Sequence, residues 1–250
     1  MMRPAHLGAC LTLLIAAAPA VAQAQAQAQA RAGAAAEAWV SYRDAYRAMV
    51  LFEKYGGPKH LLQNHLQVQP QAKGVLGEGA GLVLNGKTVQ TTLPLDALGR
   101  ATLPLLKAAY DENAVLAPNR ALGAFALRAR VSLAPRADGA YEAADLRAGC
   151  EQALAFARHT DATARSRQCA GVRLVFPKKG VEAAVRVRAG GAEQVLPVAR
   201  GAAFAGDADD DFPVVTYRFN AQGTAQGAAQ VVTSQLVTYN APLAIVPLFE

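Results

Sequence analysis

The sequence is poor in the residues that carry most enzyme chemistry. Its 250 residues include 3 cysteines and 4 histidines, and its only serines are Ser41, Ser132, Ser166 and Ser234. None of these serines lies in the Gly-x-Ser-x-Gly motif that presents a hydrolase nucleophile. No glycine-rich run matches a phosphate-binding or dinucleotide-binding loop. The sequence therefore predicts no standard serine hydrolase and no nucleotide cofactor.

Clustered positive charge is also missing. Lys and Arg number 25 against 19 Asp and Glu, which gives a net charge of +6, and aromatic residues make up only 6% of the chain. The basic residues are dispersed and do not alternate with aromatic residues, so the pattern does not indicate nucleic-acid binding. A modestly basic chain favours weak contact with anionic surfaces such as acidic glycans.

A long apolar run occurs only at the start of the chain. A short basic beginning is followed by apolar residues 7–19 and by the small-x-small sequence Ala-Val-Ala at residues 20–22. This order is typical of a secretory signal peptide, and the run is shorter than the roughly 20 residues that a membrane span needs. We expect cleavage after Ala22, export to the periplasm or beyond, and no transmembrane segment in the mature chain.

Two further features concern the same region. Cys10 follows a Leu-Gly-Ala sequence that resembles a lipoprotein signal, but it precedes the apolar run 11–18 that such a cysteine should follow. Residues 23–34 are almost entirely Ala and Gln, a composition that cannot bury a core. We therefore expect a flexible leader at residues 23–34, with lipidation of Cys10 as the minor alternative to simple cleavage.

Cys150 and Cys169 are the only cysteines after the signal peptide. In an oxidising compartment a lone pair of cysteines is typical of one structural disulfide. A redox pair or two metal ligands are the alternatives. The first usually has the spacing Cys-x-x-Cys, and the second needs about four ligands where only His159 is close in sequence.

The chain also contains an internal similarity. The sequence at residues 66–75 returns at residues 173–181 with one residue removed, and both copies contain Pro followed shortly by Lys-Gly-Val. Leu93-Pro94 and Leu196-Pro197 lie at nearly the same separation, as do Ala134-Pro135 and Ala241-Pro242. A period of about one hundred residues is the size of a small domain. We expect two tandem modules, at residues 35–135 and 136–250.

Each module is expected to be a helix followed by five or six antiparallel strands. Apolar residues recur with helical spacing at residues 35–55 and 142–159, and the Gly-Gly-Pro at residues 56–58 is expected to end the first helix. The period then changes to two, most clearly at residues 125–133. Asn85-Gly86 predicts a two-residue hairpin turn, and Gly190-Gly191 a second hairpin. The fold class is thus α+β, mainly β, with sandwich-like or barrel-like modules.

Three groups of residues are candidates for a functional site. Asp207, Asp209 and Asp211 alternate as the first ligands of a calcium loop do, although Phe212 replaces the expected glycine and no distal Glu follows; a solvated acidic turn is the alternative. His60 and His65 could meet in space and bind a metal or transfer a proton. Arg128, Arg130, Arg186 and Arg188 project from the polar sides of strands, where they could receive a carboxylate or a sugar acid or simply keep the sheet soluble.

These features favour a non-catalytic, exported binding or envelope-interaction protein, with an envelope protein or a glycan as partner. The alternative is a hydrolase that acts on cell-wall or glycan material through His60, His65 or the acidic segment 207–211. The hydrolase hypothesis requires these groups to converge in one pocket. The binding hypothesis requires an exposed patch, groove or edge strand.

Overall fold

The computed structural model describes residues 39–219 and 234–250. The predicted signal peptide (1–22), Cys10, the leader (23–34), the first part of the first predicted helix (35–38) and residues 230–233 of a predicted strand lie outside the described residues. The described residues belong to one compact unit, Ala38–Glu250.

The fold is mainly β, with three open antiparallel sheets in the described part of the chain. In chain order the strands are β1 (Val40–Ser41), β2 (Leu62–Pro70), β3 (Gly81–Asn85), β4 (Gln90–Pro94), β5 (Arg100–Ala101), β6 (Val115–Pro118), β7 (Phe125–Leu133), β8 (Ala140–Glu142), β9 (Cys169–Val175), β10 (Val185–Ala189), β11 (Ala192–Val195), β12 (Val198–Gly201), β13 (Phe212–Arg218), β14 (Ser234–Thr238) and β15 (Ala244–Phe249). The large sheet has the order β12-β13-β9-β15-β7-β2-β5. The first small sheet has the order β1-β6-β3-β4, and the second small sheet β11-β10-β14-β8.

Within residues 39–219 and 234–250, three α-helices accompany the sheets: α1 (Tyr42–Lys54), the short α2 (Lys107–Asp111) and α3 (Ala143–Thr160). A 3₁₀ turn at Ala162–Ala164 follows α3. Among the described residues, no helix combines the length and the apolar character needed to cross a bilayer.

One face of the large sheet, here called the helix face, is buried under α1, α3 and the two small sheets. Because side chains alternate along a strand, Leu66 and Val68 of β2 point to this face, where they pack with Tyr42 and Met49 of α1 and with residues of the first small sheet. Val172, Leu174 and Phe176 pack in the same way with α3 and the second small sheet. The arrangement is sandwich-like, with the strand alternation that the sequence predicts.

The last strand, β15, lies inside the large sheet. It pairs with β9 on one side and contacts β7 through the pair Ile245 and Leu133 on the other. Strands from the early and the late part of the chain therefore form a single sheet. The sequence pattern indicates the strands themselves, but it contains no signal for this shared sheet.

The end of α1 differs from the expected glycine cap. The helix ends at Tyr55, which is extended (φ −64°, ψ 119°), and neither Gly56 nor Gly57 has a positive φ. Lys59 Nζ instead donates to the carbonyl oxygens of Phe52 and Glu53, at 2.7 Å each. These bonds, together with one from the Tyr55 N–H to the Phe52 carbonyl, satisfy carbonyls of the last helical turn without a left-handed residue. A Cβ at Gly57 would collide with the end of the Tyr55 side chain, which would have to move.

Both predicted hairpins are present, but the turn predicted at Asn85-Gly86 is wrong. Asn85 pairs with Gln90, so residues 86–89 form a four-residue loop. The carboxylate of Glu112 accepts hydrogen bonds from the backbone N–H of Lys87 and Thr88 and from the Thr88 hydroxyl, which stabilises this longer loop from outside. The two-residue turn with positive φ occurs in the other hairpin, at Gly190 (57°) and Gly191 (81°).

Cys150 and Cys169 lie at disulfide distance, with a Cα–Cα separation of 6.0 Å. Cys150 belongs to the buried side of α3, and Cys169 begins β9. The bond attaches the helix directly to the sheet that it covers.

Candidate functional site

The opposite face of the large sheet, here called the loop face, carries a cluster of polar side chains from β2 and β7. His65, Gln67 and Gln69 of β2 alternate with the buried residues of the same strand, so they point to this face. The register places Arg128 opposite Gln67 and Arg130 opposite His65. The arginines that the sequence singled out on β7 therefore share a surface with one of the candidate histidines.

Residues 202–211, here called the acidic loop, cover part of this face. Asp207 holds the loop in place, because its carboxylate accepts hydrogen bonds from Gln67 Nε2 (3.1 Å), Gln69 Nε2 (3.3 Å) and Arg130 Nη2 (3.0 Å). It also accepts one from the backbone N–H of Phe204 at 3.2 Å, within the loop itself. Asp207 thus acts as an anchor between the loop and strands β2 and β7.

The Arg130–Asp207 ion pair is largely buried, with side-chain exposures of 17% and 10%. Arg130 also donates from Nε to Gln67 Oε1 at 2.6 Å and lies over the Phe204 ring, 5.0 Å from its centroid. Burial lowers the pKa of Arg130, the charge of Asp207 opposes that change, and the charge of Arg128 adds to it. An arginine stays protonated under such conditions. Arg130 is therefore a fixed cation whose charge Asp207 neutralises.

The other carboxylates of the acidic loop each have a different cationic partner. Asp209 accepts from Lys178 Nζ at 2.5 Å and 2.7 Å, and Asp210 from Lys73 Nζ at 2.5 Å. Asp211 lies 3.8 Å from Arg200. Lys73 and Lys178 belong to the two similar Pro-Lys-Gly segments, so the acidic loop connects both of them. Within residues 39–219 and 234–250, no three His, Cys, Asp or Glu side chains are placed to hold a metal ion. Calcium binding by Asp207, Asp209 and Asp211 stays a prediction without support from this arrangement.

The two candidate histidines contact different elements. The ring of His60 lies 3.4 Å from Gln152 Nε2 of α3, near the helix face. His65 is on the loop face, where its Nδ1 is buried without a hydrogen-bond partner among the described residues. Burial lowers the pKa of His65 below its usual value, the charge of Arg100 adds to that change, and Asp96 opposes it. The structure does not bring His60 and His65 together.

Two more arginines lie on the loop face, and no sequence pattern selected either of them. Arg100 is largely buried; it pairs with Asp96 at 2.7 Å and donates to the Leu243 carbonyl at 2.6 Å. Arg173 donates to the Ala202 carbonyl at 3.0 Å. Both attach loops to the sheet, and the charge pattern of the sequence could not identify them because their partners are mostly backbone carbonyls far away in the chain.

An open cleft of about 520 Å³ lies where the acidic loop leaves the ends of β2 and β7. Arg128, Arg130, Gln69 and Gln71 line it together with Gly206 of the loop. Arg128 is exposed, and its Nε donates to Gln69 Oε1 at 3.2 Å. No carboxylate of the described residues lies within 4.0 Å of the Arg128 guanidinium, so this side chain presents a free positive charge to the cleft.

Comparison with protein-family models, curated proteins and solved structures found no match for the chain. The geometry of the cleft is therefore the basis for a functional assignment.

Arg186 and Arg188 provide a contrast to Arg128. They project from β10 of the second small sheet, and both bind Glu193 of β11, at 2.6 Å and 3.0 Å. Their charge is shared with a carboxylate on the same surface. Of the four arginines that the sequence selected, only Arg128 has no carboxylate partner within the described residues.

Proposed function

We propose that this protein is an exported, non-catalytic binding protein, and that its ligand site is the cleft between β2, β7 and the acidic loop. The observation that carries the proposal is Arg128. A cation exposed to a cleft of about 520 Å³, oriented by Gln69 and not neutralised by a carboxylate of the described residues, is a ready receptor for a ligand.

The proposal of binding rather than catalysis is supported by the way the polar groups are used. Asp207 and Arg130 satisfy each other and hold the acidic loop, and Asp209 and Asp210 are engaged by lysines. A general base needs a free acceptor within reach of the substrate. The hydrolase hypothesis requires His60, His65 and the acidic segment to converge in one pocket, and His60 contacts Gln152 of α3 instead.

Export is proposed from two observations. The first 22 residues have the order of a signal peptide, and Cys150 and Cys169 lie at disulfide distance, as is usual in oxidising compartments. We place the mature protein in the periplasm, or outside the cell, with an envelope protein or a glycan as its partner.

We further propose that the body is a duplicated module, as the sequence similarity suggests. In each half of the chain, one short strand precedes the long helix: β1 in the first half and β8 in the second. Starting from that strand, the first small sheet has the order β1-β6-β3-β4 and the second the corresponding order β8-β14-β10-β11. In the large sheet β5-β2-β7 corresponds to β12-β9-β15, with β13 added between β12 and β9. The Ala134-Pro135 and Ala241-Pro242 landmarks do not correspond in this scheme, because the first follows β7 and the second precedes β15.

A capture experiment tests the binding function. The full chain, expressed with its N-terminal segment so that the host processes it, would be immobilised and exposed to an envelope extract. We expect a protein or a glycan to be retained by the wild type and by an Arg188→Gln variant, and to be lost from Arg128→Gln. Retention of nothing by the wild type, or equal retention by all three, would contradict a binding function at this cleft. N-terminal sequencing of the same material should begin at Gln23.

A further inference from the structure

The Arg128 side chain is held in position but left mostly unused. A guanidinium has five N–H donors in a planar fork. Arg128 uses Nε on Gln69 Oε1, and Gln69 is itself fixed because its Nε2 donates to the Gly206 carbonyl at 2.6 Å and to Asp207 at 3.3 Å. The fixed Gln69 amide therefore orients the Arg128 guanidinium so that its terminal N–H groups face the cleft.

The charge balance of the cleft indicates the charge of its ligand. Arg130 and Asp207 neutralise each other as a nearly buried pair. Arg128 adds one positive charge that no carboxylate of the described residues compensates. A monoanion balances this charge, whereas a dianionic phosphate would leave one negative charge without a cation in the cleft. A carboxylate also matches the planar fork, since its two oxygens accept two parallel hydrogen bonds.

The rest of the cleft suits a small polyhydroxylated molecule. Its volume of about 520 Å³ falls within the range of small-ligand sites. Gln71 offers an amide group that can both donate to and accept from hydroxyls, and Gln69 Oε1 can accept a second hydrogen bond beside the one from Arg128. Pro70 and Ala126 add small apolar surfaces against which the C–H groups of a sugar ring can pack.

We infer that the cleft binds a sugar acid, with its single carboxylate on the Arg128 fork and its hydroxyls towards Gln69 and Gln71. This inference rests on the proposed binding function of the cleft and adds the chemical class of the ligand. An amino acid or a peptide end would supply the same carboxylate without the hydroxyls, so the test separates these two sources.

Titrations with defined probes test the inference. The probes are D-glucuronate, D-glucose, which lacks the carboxylate, and N-acetylglycine, which has a carboxylate but no sugar. Calorimetry would give the dissociation constants, and ¹H–¹⁵N spectra of the arginine Nε–H groups would show which arginine responds. We expect glucuronate to bind more tightly than both other probes and to shift the Arg128 signal.

Three variants locate the effect. Arg128→Gln should weaken glucuronate binding by about tenfold or more, because hydrogen bonds to a charged group are lost. Arg128→Lys keeps the charge but loses the fork, so it should lie between the wild type and Arg128→Gln. Arg188→Gln, a matched strand arginine that is paired with Glu193, should bind as the wild type does. Unchanged melting temperatures would show that each variant is folded.

The possible failures are distinguishable. Equal binding of glucose and glucuronate, or unchanged glucuronate binding by Arg128→Gln, overturns the carboxylate assignment. Equal binding of N-acetylglycine and glucuronate overturns the sugar assignment. Glucuronate that fails to bind while Arg128→Gln still loses envelope material refutes the ligand class and leaves the binding function intact. A wild type that captures nothing and binds no probe refutes both.

Discussion

The two faces of the large sheet are covered in different ways. On the helix face, α1, α3 and the small sheets bury apolar residues such as Leu66 and Leu174, and the Cys150–Cys169 pair links α3 to β9. On the loop face, the acidic loop is attached by a smaller apolar cluster, in which Ala203 and Phe204 pack with Val175, and also by Asp207 and by lysines at its rim. Apolar burial is non-directional and depends on the area removed from water, whereas attachment through charges depends on individual groups and is screened by salt.

The difference explains why the candidate site lies on the loop face. Helices and sheets that pack through apolar side chains leave few cavities between them, because protein interiors are packed as densely as organic crystals. The acidic loop buries Ala203 and Phe204 and covers Arg130, but it leaves the ends of β2 and β7 open, where Arg128 faces the cleft. The two larger apolar clusters therefore lie on the helix face, and the loop face carries the proposed ligand cleft.

The largest expected effect on stability comes from truncating a buried apolar side chain on the helix face. Leu174 of β9 is fully buried under α3 and the second small sheet. Leu174→Ala should therefore reduce the free energy of unfolding by about 2–5 kcal/mol, through lost burial and a residual cavity. Chemical denaturation monitored by circular dichroism measures it. Leu51→Ala is the matched control, because Leu51 of α1 is 53% exposed and the same truncation there should cost little. Similar losses for both variants would contradict the burial of Leu174.

The disulfide is the next contribution to the helix face. The two cysteines are 19 residues apart, and closing a loop of that length contributes about 3 kcal/mol in the chain-entropy description. Reduction of the wild type should lower the free energy of unfolding by roughly this amount. A Cys150→Ala/Cys169→Ala variant controls for other effects of the reductant and should not respond to it. An unchanged wild type after complete reduction would show that the bond does not hold α3 to the sheet.

Smaller effects are expected on the loop face, with a sharp contrast inside the acidic loop. Asp207→Ala leaves Arg130 largely buried without its partner, which should cost about 2 kcal/mol, less than for a fully buried pair. Asp210→Ala removes an exposed pair with Lys73 and should have no measurable effect. Denaturation gives the stability, and limited proteolysis near residues 202–211 reports local release. Equal behaviour of the two variants would mean that Asp207 is not the anchor.

The sequence was sufficient to predict features that depend on local pattern. Alternation assigned the residues of β7 to their correct faces, with Leu127 and Leu133 on the helix face and Arg128 and Arg130 on the loop face. The cysteine count predicted the pair Cys150 and Cys169, which the structure places at disulfide distance. These predictions need only the period of a strand and the chemistry of a lone pair of thiols.

Features that depend on distant contacts could not be predicted from the sequence. Asp207 is distinguished from Asp209 and Asp211 only by Gln67, Gln69 and Arg130, which lie more than 70 positions away. The end of α1 and the four-residue loop after β3 depend on Lys59 and Glu112, whose roles a local motif does not reveal. The free charge of Arg128 becomes apparent only once the partners of the other arginines are known.

The smallest expected effect is a pH dependence of the free energy of unfolding, which His65 on the loop face should contribute. Burial lowers the pKa of His65 in the folded protein, so between that value and the unfolded value of about 6.5 the unfolded chain binds more protons. Stability should therefore be fully present above pH 6.5 and decrease as the pH falls below it. We expect His65→Gln to lose less stability than the wild type between pH 7.5 and pH 5, measured by denaturation at each pH. His60→Gln controls for the loss of one histidine, and an equal change in that variant would assign the pH response to some group other than the buried ring on the loop face.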